Sequence, residues 1–370
     1  MYQMVALLAI VVALLSFIPE HVLRQTNLRV FHPEVLHPAS TGPYFEGWYF
    51  KLSPAALVGG SVLAVVPGFF LSEGNGTESH AFIFVSVNGV KQHYFKFSLD
   101  ELAYSSPPDP FKVSIGKSSF TEHSISLDLE PRKNDDASIK LTGALTFTNL
   151  KRWPVSFFSL GAMGIVGWLP FLECTHGVLS FDHDLHGSLV LDEETINLEG
   201  GKGYIEKDWG TKFPNLWIWI QSNSFPKYPG TSLFFSVARI PTLGMELPGF
   251  TAAIHHENEL IRFASYNLAR FVDLVVTERD VHIKVKSGQY LMEIFVDRRV
   301  PHALLYAPID GTKMVPAVSE ALQAKCHLKL FGRAGEVIID DVGLDCGLEV
   351  HNDVEWLVAN LCANKVGVCL

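Results

Sequence analysis

The stretch Gly203–Asn223, GYIEKDWGTKFPNLWIWIQSN, carries the strongest pattern in the chain and holds three of its seven tryptophans. From Trp217 onward the residues alternate in character, which is typical of a β-strand because successive side chains point to opposite faces. One face carries Trp217, Trp219, Gln221 and Asn223. This face is either the wall of a pocket for an amphipathic ligand with a ring and oxygen atoms, or a barrel core strand plugged by tryptophan.

Three ionisable residues, Glu206, Lys207 and Asp208, stand directly before Trp209. A carboxyl group beside tryptophan in an apolar pocket has a raised pKa, so it can hold a proton at neutral pH and deliver it. Tryptophan faces stabilise a nearby cation. An acid with an aromatic wall is what alkene protonation requires, since that reaction passes through a carbocation. A salt-bridged turn is the alternative interpretation.

Two shorter stretches offer similar sets of residues. Phe45–Lys51 (FEGWYFK) contains Glu46, Trp48 and Tyr49, while Glu173 and His176 stand close together in ECTHG. Each set alone is weak support for a functional site.

The rest of the chain predicts an all-β protein. Short runs with a period of two, such as Ser124–Leu129 and Val281–Lys286, are separated by Gly, Pro, Asn and Asp, which indicates antiparallel strands joined by hairpins. On the order of 16–20 strands are expected, too many for one small barrel. Gly200-Gly201 and the repeated glutamate just before a tryptophan suggest a boundary near residue 200. We therefore predict β domains over residues 24–200 and 201–370.

The composition narrows the possible partners. Charged residues make up 18% of the 370 residues and hydrophobic residues 48%, whereas soluble domains usually carry about 25% charged residues. This low share of charged residues and high share of hydrophobic residues favour an apolar ligand or a membrane surface. The net charge of −10 argues against nucleic acid, whose phosphates repel an acidic chain. The five cysteines include no Cys-x-x-Cys pair, so neither a disulfide framework nor a zinc site is expected.

Met4–Ile18 is an apolar run of 15 residues, short for a membrane-spanning helix of about 20. It predicts a hydrophobic leader helix over residues 1–23, either a signal peptide or an uncleaved anchor, and hence membrane association, with a secretory or plastid destination. A glycosylation sequon begins at Asn75. Pro154–Glu173 is strongly apolar and broken by glycine and proline. It is interpreted as a lid, a lipid-contacting loop or a covered core loop.

The quoted motifs, in this order along the chain, resemble the tocopherol cyclase-like family; they are FEGWYFK, ECTHGVLS and GYIEKDWG followed by WIWIQSN. The resemblance implies two lipocalin-like halves, with no redox cofactor or metal. For the plant members it implies closure of a chromanol ring from a phytyl-benzoquinol. We expect the catalytic acid among Glu206, Asp208 and Glu46. The expected substrate-binding residues are Trp48, Tyr49, Glu173, His176, Trp209, Trp217, Trp219, Gln221 and Asn223.

Two other functions fit the same sequence. One is a non-catalytic, lipocalin-like carrier of an isoprenoid or another lipid. The other is a structural β protein of an envelope, anchored by its leader. The enzyme and the carrier both require an apolar cavity, but only the enzyme requires a buried acid facing into it.

Overall fold

The computed structural model describes residues 15, 18–26, 28–37, 42–55, 59–74, 76–106, 109–133, 135–169, 172–242 and 244–362. Most of the predicted leader helix and the sequon residue Asn75 lie outside the described residues. No helix in the described part of the chain is long and apolar enough to cross a bilayer. The described residues include two short α-helices with defined bounds, α1 (Glu20–Arg24) and α2 (Glu355–Cys362).

A first antiparallel sheet contains twelve strands. They are β1 Tyr44–Ser53, β2 Leu63–Leu71, β3 His80–Val87, β4 Lys91–Phe97, β5 Leu102–Tyr104, β6 Lys112–Ile115, β7 Ser118–Thr121, β8 Ser124–Leu129, β9 Leu141–Lys151, β10 Cys174–Leu191, β11 Glu194–Asn197 and β12 Lys202–Gly210. Their order across the sheet is β4-β3-β2-β1-β12-β10-β9-β8-β7-β6-β5, with β11 paired to β10.

A second antiparallel sheet contains ten strands. They are β13 Trp217–Ser222, β14 Ser232–Thr242, β15 Met245–His256, β16 Glu259–Ala264, β17 Arg270–Val276, β18 Asp280–Ser287, β19 Tyr290–Asp297, β20 Ala303–Ala307, β21 Val315–Phe331 and β22 Val337–His351. Their order is β16-β15-β14-β13-β22-β21-β19-β18-β17, with β20 paired to β21. The prediction of an all-β protein with two lipocalin-like antiparallel halves is confirmed.

Each sheet encloses its own hydrophobic core, and a third apolar cluster lies between the sheets. Strand β13 shows how alternation builds both layers. Ile218 and Ile220 belong to the core of the second sheet, while Trp217 and Trp219 belong to the cluster between the sheets. Burying one such isoleucine stabilises the fold by about 1.5–3 kcal/mol. The Trp-Ile-Trp-Ile sequence therefore joins one barrel core to the layer between the barrels.

The chain passes from the first sheet to the second between Gly210 and Trp217. Strand β12 follows the predicted domain boundary at residue 200 but pairs within the first sheet, with β1 and β10. The division at residue 200 stays a prediction about domains. For the site, the placement of β12 matters because it brings this strand opposite β13.

The apolar segment after Pro154 forms a 3-10 helix, Gly161–Trp168. The Tyr266 hydroxyl donates a hydrogen bond of 3.2 Å to the Ala162 carbonyl and so ties this helix to the second sheet. Ala162 is buried, whereas Ile165 and Trp168 are exposed. The segment therefore covers the space between the sheets and also presents apolar side chains to the outside.

Candidate active site between the sheets

Alternation along β12 divides its side chains between two environments. Tyr204 belongs to the cluster between the sheets, and Ile205 belongs to the core of the first sheet. Glu206 and Asp208 follow the register of Tyr204 and line a cavity between the sheets. The intervening Lys207 is fully buried on the opposite side. The strand therefore delivers two carboxyl groups to the cavity and a lysine to the barrel interior.

The cavity has a volume of about 220 Å³ and is lined mainly by apolar side chains. Its ionisable groups lie in the middle, where β1 and β12 face β13 and β22. At one end, β3 faces β20, and the lining residues include Val66, Phe82, Phe84, Leu305, Tyr306 and Met314. At the other end, the 3-10 helix covers β15, and the lining residues include Ala162, Met163, Val166, Ile240, Phe250 and Tyr266.

His176 connects the two carboxyl groups of β12. Its Nδ1 lies 2.8 Å from Asp208 Oδ1, and its Nε2 lies 3.6 Å from Glu206 Oε2. The second distance is too long for a hydrogen bond, and Nε2 is buried without a hydrogen-bond partner among the described residues. The imidazole also stacks on Phe234, with ring centroids 5.1 Å apart. The ring is thus fixed in place with one nitrogen left for a ligand or for Glu206.

Two other donors hold the Glu206 carboxyl group. The Tyr204 hydroxyl donates to Glu206 Oε2 at 2.6 Å, and the Trp219 indole N–H donates to the same oxygen at 3.0 Å. Both hydrogen bonds favour the ionised carboxylate. The orientation of Glu206 is therefore set by β12 itself and by the facing strand β13.

The environment raises the pKa of both Glu206 and His176 and so favours the protonated form of each group. Burial raises the pKa of Glu206 to about 7, although the His176 cation opposes the shift. Burial alone would lower the pKa of His176, but the Asp208 and Glu206 carboxylates outweigh it and raise that pKa to about 9. At neutral pH the site therefore holds an imidazolium beside a carboxyl group that can keep its proton.

His176, Glu206 and Asp208 also form the one group among the described residues whose atoms could hold a metal ion, with ligand atoms within 4.8 Å of one another. One carboxylate and one imidazole of this set already face each other at hydrogen-bond distance. The same residues also have the geometry of an acid–base cluster, in which His176 Nε2 stays available to a ligand.

Sequence reasoning missed two further carboxyl groups, the fully buried Glu320 on β21 and the partly buried Glu349 on β22. The Tyr49 hydroxyl donates to Glu320 Oε1 at 2.7 Å, and the Trp217 indole donates to Glu349 Oε2 at 2.6 Å. Glu349 lines the cavity. For Glu320 the sequence offers a signal, since it is the one acidic residue in β21. Glu349 offers none, because β22 carries three other acidic residues.

The structure corrects the expectation for Glu46. Its carboxylate lies 2.6 Å from Lys207 Nζ, with both side chains fully buried on the side of the sheet away from the cavity. Trp48 lies on that side too, in the core of the first sheet, and Lys207 Nζ sits 4.6 Å above its ring. Glu46 therefore does not line the cavity, and its position does not support a role as the acid.

Of the nine residues predicted to bind the substrate, Tyr49, His176, Trp217 and Trp219 line the cavity. The other five, including Trp48, do not. Trp209 stacks on His37 with centroids 4.6 Å apart, and Glu173 pairs with Lys212 at 3.1 Å.

Gln221 and Asn223 share the face of Trp219, but their side chains form hydrogen bonds with other residues of the protein. Gln221 Oε1 accepts a hydrogen bond of 2.7 Å from the buried Lys51 ammonium. The Asn223 amide donates to the Gly203 carbonyl at 2.8 Å. Neither side chain belongs to the cavity lining, so the expected pair of ligand-binding amides is instead part of the contact between the sheets.

Fold and cavity together define a class: β-proteins of two lipocalin-like halves with an apolar cavity between them. The solved structure of CghA with Sch210972 shares this fold, with a TM-score of 0.52 at 9% identity, over 86% of this chain and 94% of that chain. Within that class, residues 144–352 match the Tocopherol cyclase-like family, and the chain belongs to it.

Two curated plant proteins are similar to half of the chain. A Zea mays protein named "Tocopherol cyclase, chloroplastic" is 27% identical over 203 residues, which cover 51% of this chain and 42% of that protein. An Oryza sativa subsp. japonica protein named "Probable tocopherol cyclase, chloroplastic" is 27% identical over 203 residues, covering 50% and 41%. The aligned region thus spans less than half the length of these relatives.

Proposed function

We propose that this protein is an enzyme that closes a chromanol ring on a prenylated benzoquinol by protonating the alkene of the prenyl tail. One observation carries the proposal: Glu206, a carboxyl group with a raised pKa, lines an apolar cavity walled by Trp217 and Trp219. A buried carboxyl group whose pKa lies near neutral pH is suited to general acid catalysis. Membership of the tocopherol cyclase-like family supports the same chemistry.

The reaction balances without an external reactant. The protonated Glu206 gives its proton to the CH carbon of the trisubstituted alkene, which leaves a tertiary carbocation on the neighbouring carbon. The indole faces of Trp217 and Trp219 stabilise that charge. The ortho phenol oxygen then attacks the cation to form the C–O bond, and the phenolic proton returns to Glu206. The product is an isomer of the substrate.

His176 and Asp208 support Glu206 in this scheme. Once Glu206 has given its proton to the alkene, the Nε2–H of the His176 imidazolium, 3.6 Å from Glu206 Oε2, can reprotonate the carboxylate. The same nitrogen then accepts the phenolic proton, so that the proton returns to Glu206 by way of His176. Asp208 holds the ring from the other side at 2.8 Å. Asp208 is therefore a positioning residue rather than the proton donor.

The shape of the cavity supports an amphipathic ligand that reacts near its middle. The ionisable groups occupy the centre, and apolar walls extend from it in two directions. In a prenylated quinol the reacting alkene lies next to the ring, with the ring on one side and the tail on the other. This arrangement places the polar reacting atoms beside Glu206 and the apolar parts in the two ends.

A membrane or lipid surface is part of the proposal, because the ligand is too apolar to travel through water. Ile165, Trp168 and Leu169 are exposed apolar side chains next to cavity residues of the 3-10 helix. Such patches mark interaction sites on soluble proteins. We extend the proposal to a plastid location, which the names of the two plant relatives give for those proteins.

The proposal is tested by incubating the purified protein with phytyl- and geranylgeranyl-benzoquinols and separating the products by chromatography. Chromanol formation that is lost in Glu206→Gln supports the cyclase. Glu46→Gln is the control, because that carboxylate faces away from the cavity. Tight binding of the quinols by the native protein without turnover would instead identify a carrier.

A further inference from the structure

Glu349 occupies a position that mirrors that of Glu206. The Trp219 indole N–H donates to Glu206 at 3.0 Å, and the Trp217 indole N–H donates to Glu349 at 2.6 Å. These tryptophans stand two residues apart on β13, so they share one face. The tryptophan wall of the cavity therefore orients two carboxyl groups, Glu206 from the facing strand β12 and Glu349 from the neighbouring strand β22. The ring closure proposed above uses only one of them.

The surroundings of Glu349 keep it neutral. Glu320 stands directly opposite in the pairing of β21 with β22, and two adjacent buried carboxyl groups cannot both ionise at low cost. Burial, reinforced by Glu320, raises the pKa of Glu349 well above its usual range. Burial also raises the pKa of Glu320 to about 8. Glu349 thus presents a carboxylic acid to the cavity at neutral pH.

Only one oxygen of Glu349 is engaged within the protein. Trp217 donates to Oε2, and no described residue makes a hydrogen bond to Oε1. Glu320 also has one engaged oxygen, which accepts the Tyr49 hydroxyl at 2.7 Å, but its side chain is fully buried and does not line the cavity. A protonated carboxyl offers both a donor and an acceptor. This combination suits a ligand hydroxyl group, which can both accept and donate a hydrogen bond.

We propose that Glu349 binds a ring hydroxyl group of the ligand and thereby selects hydroxylated aromatic rings over rings that lack the group. The inference rests on the proposed function, since it assigns a contact to the same ligand. Its energetic basis is the cost of leaving a buried polar group unpaired when the hydroxyl is missing. Glu206 protonates the alkene, and Glu349 fixes the ring that carries the attacking oxygen.

The test measures binding separately from turnover. The ligands are a prenylated hydroquinone whose first alkene has been reduced, so that it cannot cyclise, and the analogue lacking one ring hydroxyl. Binding is followed by quenching of tryptophan fluorescence, because Trp217 and Trp219 line the cavity. The native protein is expected to prefer the hydroquinone by about tenfold, equivalent to roughly 1.4 kcal/mol.

Glu349→Leu should bind the hydroquinone about tenfold more weakly and bind both ligands alike. Glu349→Met, whose unbranched side chain fills the same space, takes its place if the leucine variant does not fold. Glu130→Gln, which changes an exposed carboxylate that does not line the cavity, is the control and should keep the native preference. A native ratio retained in the folded Glu349 variants, or no binding of either ligand by the native protein, overturns the inference.

The two proposals fail in different ways. Chromanol formation by the native protein together with an unchanged preference in Glu349→Leu removes the role of Glu349 and leaves the cyclase intact. A lost preference in that variant, without turnover of any quinol by the native protein, removes the cyclase and leaves the ligand contact.

Discussion

Replacing Glu46 by Gln should destabilise the protein without removing its activity. The Glu46 carboxylate and the Lys207 ammonium lie 2.6 Å apart with both side chains fully buried. The His37 backbone N–H and the Tyr44 hydroxyl also donate to Glu46, at 2.6 and 2.7 Å. A glutamine keeps an acceptor for those two donors but removes the charge that balances Lys207.

The cost follows from the uncompensated ammonium. Breaking a buried ion pair from one side typically costs about 3–5 kcal/mol. At about 2 °C per kcal/mol for a large domain, Tm should fall by roughly 6–10 °C. Lys207 keeps the Val35 carbonyl and the Trp48 and Trp209 rings as partners. The loss of folding free energy should therefore lie at the lower end of this range. The kcat should stay within about threefold of the native value, since the pair faces away from the cavity.

Differential scanning calorimetry measures the first quantity and the quinol assay the second. The double variant Glu46→Leu/Lys207→Met should recover most of the lost stability, because it removes both charges. Glu130→Gln breaks an exposed pair with Lys140 and should leave Tm unchanged. A Glu46→Gln protein with native Tm and a kcat reduced a hundredfold or more would refute the reasoning and restore Glu46 as the acid.

Four further outcomes are expected. The kcat should fall as pH rises through about 7, because Glu206 acts in its protonated form and its pKa is raised to about 7; a pH–rate profile checks this. In His176→Gln that limb should move to higher pH, since the cation that lowers the pKa of Glu206 is gone. In Asp208→Asn the pKa of His176, followed by NMR, should drop below about 9 because its largest charged partner is lost. Trp219→Phe should lower kcat about 5- to 30-fold in the quinol assay through weaker cation stabilisation.

The sequence predicted that Trp217 and Trp219 share one face of a strand, because alternation alone decides this. Trp217 and Trp219 share a face that lines the cavity, as the WIWI pattern indicates. Glu206 and Asp208 share a face of β12 for the same reason. A period of two is a local property, so it can be read from one strand without knowledge of its neighbours.

The sequence did not predict which face of a strand meets which neighbour. Glu46 and Tyr49 were expected in one site, yet residues three apart on a strand point to opposite sides. Tyr49 lines the cavity, while Glu46 lies in the barrel interior. Both environments are apolar, so hydrophobicity alone does not distinguish the core of one barrel from the contact between two.

The positions of the Glu320 and Glu349 carboxyl groups could not be predicted from the sequence for another reason. Their proximity comes from the pairing of β21 with β22 and from contacts across the sheets to Tyr49 and Trp217. The Tyr49–Glu320 contact joins residues 271 positions apart. Such contacts depend on the packing of the two halves, which no local pattern in the chain specifies.

The most direct test of the proton donor is the cyclisation of a phytyl-benzoquinol in D₂O, followed by mass spectrometry after the hydroxyl deuterons have been exchanged back. The native protein should form chromanol with one carbon-bound deuterium, at the ring carbon derived from the alkene CH. Glu206→Gln should form it at least about 100-fold more slowly. A chromanol without carbon-bound deuterium, or a folded Glu206→Gln protein that makes the labelled product at the native rate, would contradict the assignment of Glu206 as the acid.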